Sequence, residues 1–358
     1  MRWITSQSRA TALPFVTVVL VVGLTACSES GNGETGGGDP AADASTGSAG
    51  CQVDMMIEPG SEIRELVHDD LVRAYSVHVP ERYDGETPAP LVFSLHGFGG
   101  DPESQDEGNG LPAEAGARGY IVVTPQAGPL SLPGVGPDVE EAAEFEGIPF
   151  WNFFGSGEIE FGGTAPEGYE GVTGADLGAD DVGFFRVLID ELLAEYCVDA
   201  ERVFSTGMSN GAGMSTVLAC ELDDRIRAIG PVAGVNLTGV CSGTEPVSVL
   251  AVHGDADEAV LYDGNGLLGF ELGNPSVPDR MSQWAEHDGC DLEPVVEEQA
   301  NDVTVTRWPH CDEGTEVELW TLAGWGHVWP VGADAPVDAT VAVLDFFDRV
   351  SGRSARAP

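Results

Sequence analysis

There is no lysine in this chain of 358 residues: all 15 basic side chains are arginine, set against 60 Asp and Glu. A formal net charge of −45 repels phosphate backbones and anionic headgroups, so nucleic acid is excluded as a partner. The acids are spread along the chain rather than blocked. Solubility or salt tolerance accounts for them without a cationic substrate. No C-x-x-C spacing occurs among the seven Cys, which argues against a zinc site. Also lacking are an internal repeat, a second core, and an apolar run of the roughly 20 residues that a membrane-spanning helix needs.

What apolar run there is, Ala12 to Leu24, follows Arg2 and Arg9 and has the length of a secretion-signal core. It ends Leu24-Thr25-Ala26-Cys27, which resembles the lipobox of bacterial lipoproteins. That resemblance implies a signal peptide over residues 1–26, cleavage before Cys27 and lipidation of its thiol. The protein would then be exported, and either lipid-anchored to the outer face of a bacterial membrane or released. Residues 28–50 are mainly Gly, Ser, Ala and Asp with no large apolar side chain. They cannot bury enough surface to offset chain entropy, so residues 27–50 are expected to form a flexible tether. Residues 51–353 remain for one large domain with a full core.

Strand and helix signals alternate through that domain. Arg73 to Pro80 alternates as a strand in an opening hairpin-like segment. Leu91 to Gly97 (LVFSLHG) and Tyr120 to Gln126 (YIVVTPQ) are near-continuous apolar runs of strands buried on both faces. Asp180 and Asp181 open a helix through Cys197, RVFSTG is a short strand, and Ala212 to Leu222 is the helix after it. Val247 to Gly254 and Glu316 to Gly324 predict further strands. Met281 to His287 and Asp338 to Val350 predict helices. This order predicts an α/β fold with a mostly parallel central sheet and helices on both faces. Residues 127–179 are rich in Gly, Pro and acids, carry Phe150-Trp151-Asn152-Phe153-Phe154, and lack periodicity. They are expected to form a loop excursion on the substrate side.

Chemistry-bearing residues fall at the carboxyl ends of the predicted strands, where ligands gather in open α/β sheets. Gly207-Met208-Ser209-Asn210-Gly211 lies between strand and helix, the context of a nucleophile elbow. His96-Gly97-Phe98-Gly99-Gly100 ends a buried strand in a Gly-rich turn. There the backbone N–H groups of Phe98 and Asn210 could form an oxyanion hole, with His96 orienting the loop. HGDADEAV offers Asp255 and Asp257 as the acid, with Asp257 preferred, and AGWGHVWP offers His327 as the base. Ser209, Asp257 and His327 follow the chain order of α/β-hydrolases.

With these motifs, LVFSLHGFGG, WNFF, the stretch from Asp180 to Ser215, VHGDADEAV and GWGHVWP, the chain resembles the secreted polyhydroxybutyrate depolymerase and feruloyl esterase family over about Cys51 to Val350. The resemblance implies a serine esterase of the α/β-hydrolase fold with catalytic Ser209, Asp257 and His327. It needs no metal or organic cofactor and acts on an ester, expected to be polymer-linked. Feruloyl or acetyl esters of plant polysaccharide are the expected substrates, with hydroxyalkanoate oligomers as the alternative. A rival from another class is a non-catalytic surface lipoprotein that keeps the fold as a binding scaffold. His96, Trp151, Trp325 and Trp329 are candidates for lining the pocket. With Cys27 assigned to lipid, six Cys remain. The spacing suggests Cys51–Cys197, Cys220–Cys241 and Cys290–Cys311, with buried free thiols as the alternative. Asn236-Leu237-Thr238 fits an N-glycosylation triplet.

Overall fold

The computed structural model describes residues 47–52, 57–131, 146–154, 173–241, 245–265, 273–299 and 301–352. The expected signal peptide, Cys27, most of the tether and the middle of the 127–179 excursion lie outside the described residues. Among those described, no helix is long and apolar enough to cross a membrane.

In chain order the elements are β1 (Gly60–His68), β2 (Leu71–Val79), β3 (Ala89–Leu95), α1 (Pro102–Asn109), α2 (Leu111–Arg118), β4 (Ile121–Pro125), α3 (Asp181–Glu195), β5 (Val198–Met208), α4 (Asn210–Glu221), β6 (Ala228–Val232), β7 (Ser248–Gly254), α5 (Val277–His287), β8 (Val295–Glu298), β9 (Val303–Trp308), β10 (Val317–Leu322) and α6 (Ala339–Ser351). All ten strands form one sheet in the order β1-β2-β4-β3-β5-β6-β7-β10-β9-β8. The six central strands, β4 to β10 in that order, run parallel. An antiparallel pair closes each edge.

Every residue of β3 is buried, and so is every residue of β7, because helices cover both faces. Alternation along β3 sends Leu91, Phe93 and Leu95 to one side, where Phe184, Phe185 and Leu188 of α3, Met214 and Leu218 of α4, and Trp284 of α5 pack. Val92 points the other way, toward Leu111 and Ala115 of α2 and Phe346 and Phe347 of α6. There Phe347 stacks on Phe204 of β5 with ring centres 4.5 Å apart. The helices begin on acidic caps that satisfy first-turn N–H groups. Asp180 accepts from Gly183 N at 3.0 Å and Asp338 from Val341 N at 3.1 Å.

The disulfides are Cys51–Cys197, Cys220–Cys241 and Cys290–Cys311, the pairing that the spacing suggests. The tether ends earlier than its composition predicts. Gly47 bridges Asp199 in the backbone, Ser48 N donates to Val198 O at 2.8 Å, and the Ser48 hydroxyl donates to Tyr196 O at 2.7 Å. Residues 47–50 therefore belong to the fold. They bind through backbone and hydroxyl groups, which a search for large apolar side chains does not detect. Asn236 is 1% exposed, and its amide donates to Leu261 O and Pro275 O, so it is no glycosylation acceptor in the folded chain.

Candidate active site

The parallel strands bring their carboxyl ends level. Leu95 of β3 pairs with Gly207 of β5, Met208 with Val232 of β6, Val232 with Val252 of β7, and Gly254 with Leu322 of β10. The loops that follow β3, β5, β7 and β10 carry Phe98, Ser209, Asp257 and His327. Four motifs far apart in sequence thus share one rim of the sheet.

Ser209 joins β5 to α4 with φ 56° and ψ −119°, a left-handed conformation that costs a non-glycine residue about 1–3 kcal/mol. Its N–H donates to Val232 O at 2.9 Å, and its carbonyl accepts from Gly213 N at 3.0 Å, so the turn is bonded on both sides. Glycine is required around it for lack of room. A Cβ on Gly207 would lie 2.6 Å from Gly211 O and 2.8 Å from Leu95 Cβ, and one on Gly211 would lie 2.6 Å from His96 O. Asn210 opens α4, where first-turn N–H groups have no acceptor within the helix. Its side chain is fully used: Oδ1 accepts from Trp151 N at 2.7 Å, and Nδ2 donates to Trp151 O at 2.9 Å.

The β3 loop runs close by, since a Cβ on Gly97 would lie 3.6 Å from Ser209 Cβ. His96 holds that loop. Its Nε2 accepts from Ala127 N at 3.0 Å, which leaves the proton on Nδ1 to donate to Gly97 O at 2.7 Å. Burial pulls its pKa down to about 4, so the ring is neutral at pH 7 and stays in that tautomer.

Asp257 is 4% exposed. One carboxylate oxygen accepts from Ala259 N at 2.9 Å and Val260 N at 2.8 Å. The other lies 2.7 Å from His327 Nδ1. A carboxylate only accepts, so Nδ1 carries the proton and His327 Nε2 keeps a lone pair. His253 Nε2 donates to Val260 O at 3.0 Å and lies 3.4 Å from the same carboxylate oxygen that faces His327. Burial pushes the Asp257 pKa up, but the hydrogen bonds from His253 and His327 outweigh it and hold the group well below the usual aspartate range. Asp255 is turned elsewhere: its carboxylate accepts from Gly324 N at 2.6 Å. The His327 loop is tied to the Asp257 loop by Ala256 N donating to Trp325 O at 3.1 Å.

The aromatic residues expected to line a pocket are placed differently. Trp151 is 0% exposed, donates from Nε1 to His96 O at 3.0 Å, and packs on Phe185. Trp329 is buried and donates to the Thr340 hydroxyl. Trp325 is half-buried, its indole N–H spent on Val328 O across the His327 loop. His96 is buried as well. His96, Trp151 and Trp329 therefore brace the rim instead of lining an open pocket, because their polar atoms have partners inside the protein. Among the described residues of this rim, Phe98, expected as a backbone donor, and Phe154 of the aromatic segment also have partly open rings. Phe98 and Phe154 are half-buried beside Phe150 and Phe153 in a separate apolar cluster with Leu237 and Val260, the rings 4.6–6.3 Å apart. A Cβ on Gly213, one turn beyond Ser209, would lie 3.0 Å from the Phe153 ring. His253 was missed too. Its only sequence signal is its place four residues before Asp257.

The family described as Esterase PHB depolymerase matches residues 169–277. Feruloyl esterase D of Neurospora crassa is 26% identical over 290 residues, covering 80% of this chain and 84% of that protein. Feruloyl esterase B of Piromyces equi is 34% identical over 158 residues, covering 42% of this chain and 29% of that one. Among solved structures, an acetyl xylan esterase from Aspergillus awamori superposes with a TM-score of 0.53 at 15% identity, over 80% of this chain and 99% of that one, a likeness that speaks for the fold. With α/β-hydrolase architecture and similarity to the esterase family over residues 169–277 and to these feruloyl esterases, the chain is a carboxylic-ester hydrolase.

Proposed function

We propose that the chain is an exported serine esterase whose nucleophile is Ser209, base His327 and acid Asp257. The observation that carries this reading is the 2.7 Å contact from His327 Nδ1 to a buried Asp257 carboxylate, which leaves the lone pair on Nε2 of a loop at the rim that bears Ser209. The Ser209 hydroxyl passes its proton to His327 Nε2 as its oxygen bonds to the ester carbonyl carbon. The N–H groups of Asn210 and Phe98 stabilise the oxyanion. The alcohol leaves with the proton from the imidazolium, and water hydrolyses the acyl-Ser209 by the same steps in reverse. Asp257 fixes the tautomer and offsets the imidazolium charge. On this reading residues 1–26 are the export signal, Cys27 bears the lipid, and the esterase domain follows the tether.

Feruloyl and acetyl esters of plant polysaccharide are the proposed substrates. The names of the relatives support that choice, as do the phenyl rings at Phe98 and Phe154, which suit an aromatic acyl group. The family description favours hydroxyalkanoate oligomers as the second reading. Turnover of methyl ferulate, acetylated xylan and hydroxybutyrate oligomers by one preparation separates the three. A fluorophosphonate should label Ser209, and Ser209→Ala should lower kcat about 10⁶-fold. Folded protein with no label and no turnover would overturn the esterase mechanism and leave a binding scaffold.

A further inference from the structure

A second hydrogen-bonded serine, histidine and aspartate lies at the antiparallel edge of the sheet. Ser61 of β1 and His78 of β2 are directly opposite in the hairpin register. Ser61 Oγ is 2.6 Å from His78 Nδ1, and His78 Nε2 is 2.7 Å from Asp106 Oδ2 on α1. The carboxylate only accepts, so Nε2 carries the ring proton and Nδ1 presents a lone pair into which the Ser61 hydroxyl donates. Asp106 is fixed by the Thr124 hydroxyl at 2.6 Å and the Ser76 hydroxyl at 3.3 Å. The His78 and Asp106 side chains are only 19% and 14% exposed, while Ser61 is open to solvent.

All three residues line a cleft of about 620 Å³ between the hairpin and the start of α1, together with Ile63, Ala74 and Tyr75. That volume suits a small ligand. Glu62, Asp101, Glu103 and Glu107 supply the rest of its charge, and no arginine lines it, so the acids outnumber the one imidazole and an anionic ligand is repelled.

We propose that Ser61 is a second reactive hydroxyl, primed by His78 and Asp106 to take an acyl group from an uncharged or cationic aryl ester held in this cleft. Ser61 Oγ bonds to the carbonyl carbon while its proton passes to His78 Nδ1. The bond between the carbonyl carbon and the aryloxy oxygen then breaks, and the phenol leaves with that proton. The reaction stops at acyl-Ser61. Pro102 has no N–H, and the N–H groups of Glu103 and Ser104 are turned to the Asp101 carboxylate. The helix start therefore has no donor left for a tetrahedral oxyanion. An aryl ester, with its electrophilic carbonyl and phenol leaving group, can acylate without one, whereas acyl-Ser61 is an unactivated alkyl ester whose hydrolysis needs it.

The test uses Ser209→Ala protein, so that the ester survives, with p-nitrophenyl acetate as the probe and peptide mass spectrometry as the readout. Ser61 should acquire one acetyl group at least tenfold faster than Ser282, an exposed serine whose hydroxyl donates to a backbone carbonyl. His78→Gln should slow the Ser61 reaction at least tenfold, and an anionic p-nitrophenyl hemisuccinate should react more slowly than the acetate. Labelling of Ser61 no faster than Ser282 overturns the proposal without any variant in the cleft. An unchanged rate in folded His78→Gln protein overturns the relay, and equal rates with the two esters overturn the ligand class. Turnover by the unmutated protein is a separate measurement, so the Ser209 mechanism and this one fail independently.

Discussion

Asp255 and Asp257 differ by two positions and by everything around them. Asp257 is enclosed, doubly bonded to backbone N–H groups and aimed at His327, whereas the Asp255 carboxylate caps the Gly324 N–H at the surface. Asp257→Asn should therefore lower kcat about 10⁴-fold by spoiling the tautomer, while Asp255→Asn should change it only a few-fold. Steady-state kinetics on one aryl ester checks both, and a large loss in Asp255→Asn alone would reverse the assignment. His96 makes a prediction about acid. Its pKa falls from 6.5 to about 4 on folding, so between those values the unfolded chain binds the extra proton. Stability should decline as pH falls through that window, by about 3 kcal/mol in all, and His96 contributes no further change below it. Asp257, held below its ordinary 3.8, adds a loss that begins only under that value. Urea denaturation at pH 7 and pH 4 should show the decline, and His96→Asn should reduce it. Protonation would also set a ring N–H against the Ala127 N–H and loosen the Gly97–Phe98 loop.

At the scale of elements, a buried ion pair helps to hold the aromatic segment from Phe150 to Phe154 on the rim, beside its bonds to Asn210 and His96. Arg73 of β2 meets Asp181 at the start of α3 at 2.6 Å. The guanidinium lies over the Phe184 and Trp151 rings, and Asp181 also accepts from Asn152 N at 2.7 Å. Asp181→Asn leaves the Arg73 charge buried without its partner, so it should cost about 3–5 kcal/mol. The same change should loosen the Trp151 clasp on Asn210. Thermal melts and Trp151-dependent near-UV dichroism check this, and an unshifted melt would show that the pair carries little. None of this was legible in the sequence, which presents Arg73 as one residue of an alternating strand. Legibility followed burial pattern. β3, β4 and β7 were visible because parallel strands covered on both faces need continuous apolar runs. β6 was not, because Gly230 and Pro231 interrupt it and a proline argues against a central strand. α1 was missed because its buried face is polar, with Gln105 and Asn109 bonded to the Ser94 hydroxyl. Glycines and chain order mark Ser209, Asp257 and His327 in the sequence, and the fold brings their three loops to one rim of the sheet. Trp151 and Trp329 misled because residue type says nothing of which way an indole N–H points.

Across the whole molecule, electrostatics is a contest between local pairing and global repulsion. The arginines are spread thin and shared. Arg118 reaches Glu114, Asp345 and Asp348, Arg349 reaches Glu316 and Glu318, and Arg64 reaches Glu62 and Glu195. These pairs are mostly part-exposed, and pairs open to solvent contribute about 0–1 kcal/mol each and weaken in salt. Set against them is a surplus of 45 negative charges, whose mutual repulsion opposes the compact state and is also screened by salt. The two effects have opposite signs, and their ranges decide between them. Paired groups sit within 4 Å and keep part of their attraction even when the screening length shrinks to about 3 Å at 1 M salt. The unpaired acids repel one another over longer distances, across which such salt removes nearly all of the interaction. Raising NaCl from about 0.01 M to 1 M, which takes the screening length from about 30 Å to about 3 Å, should therefore raise Tm. At about 2–4 °C per kcal/mol, relief of even 2 kcal/mol of repulsion is readily measured by calorimetry. A Tm that stays flat or falls across that range would mean that the shared arginines, few as they are, hold more of the fold than the repulsion takes away.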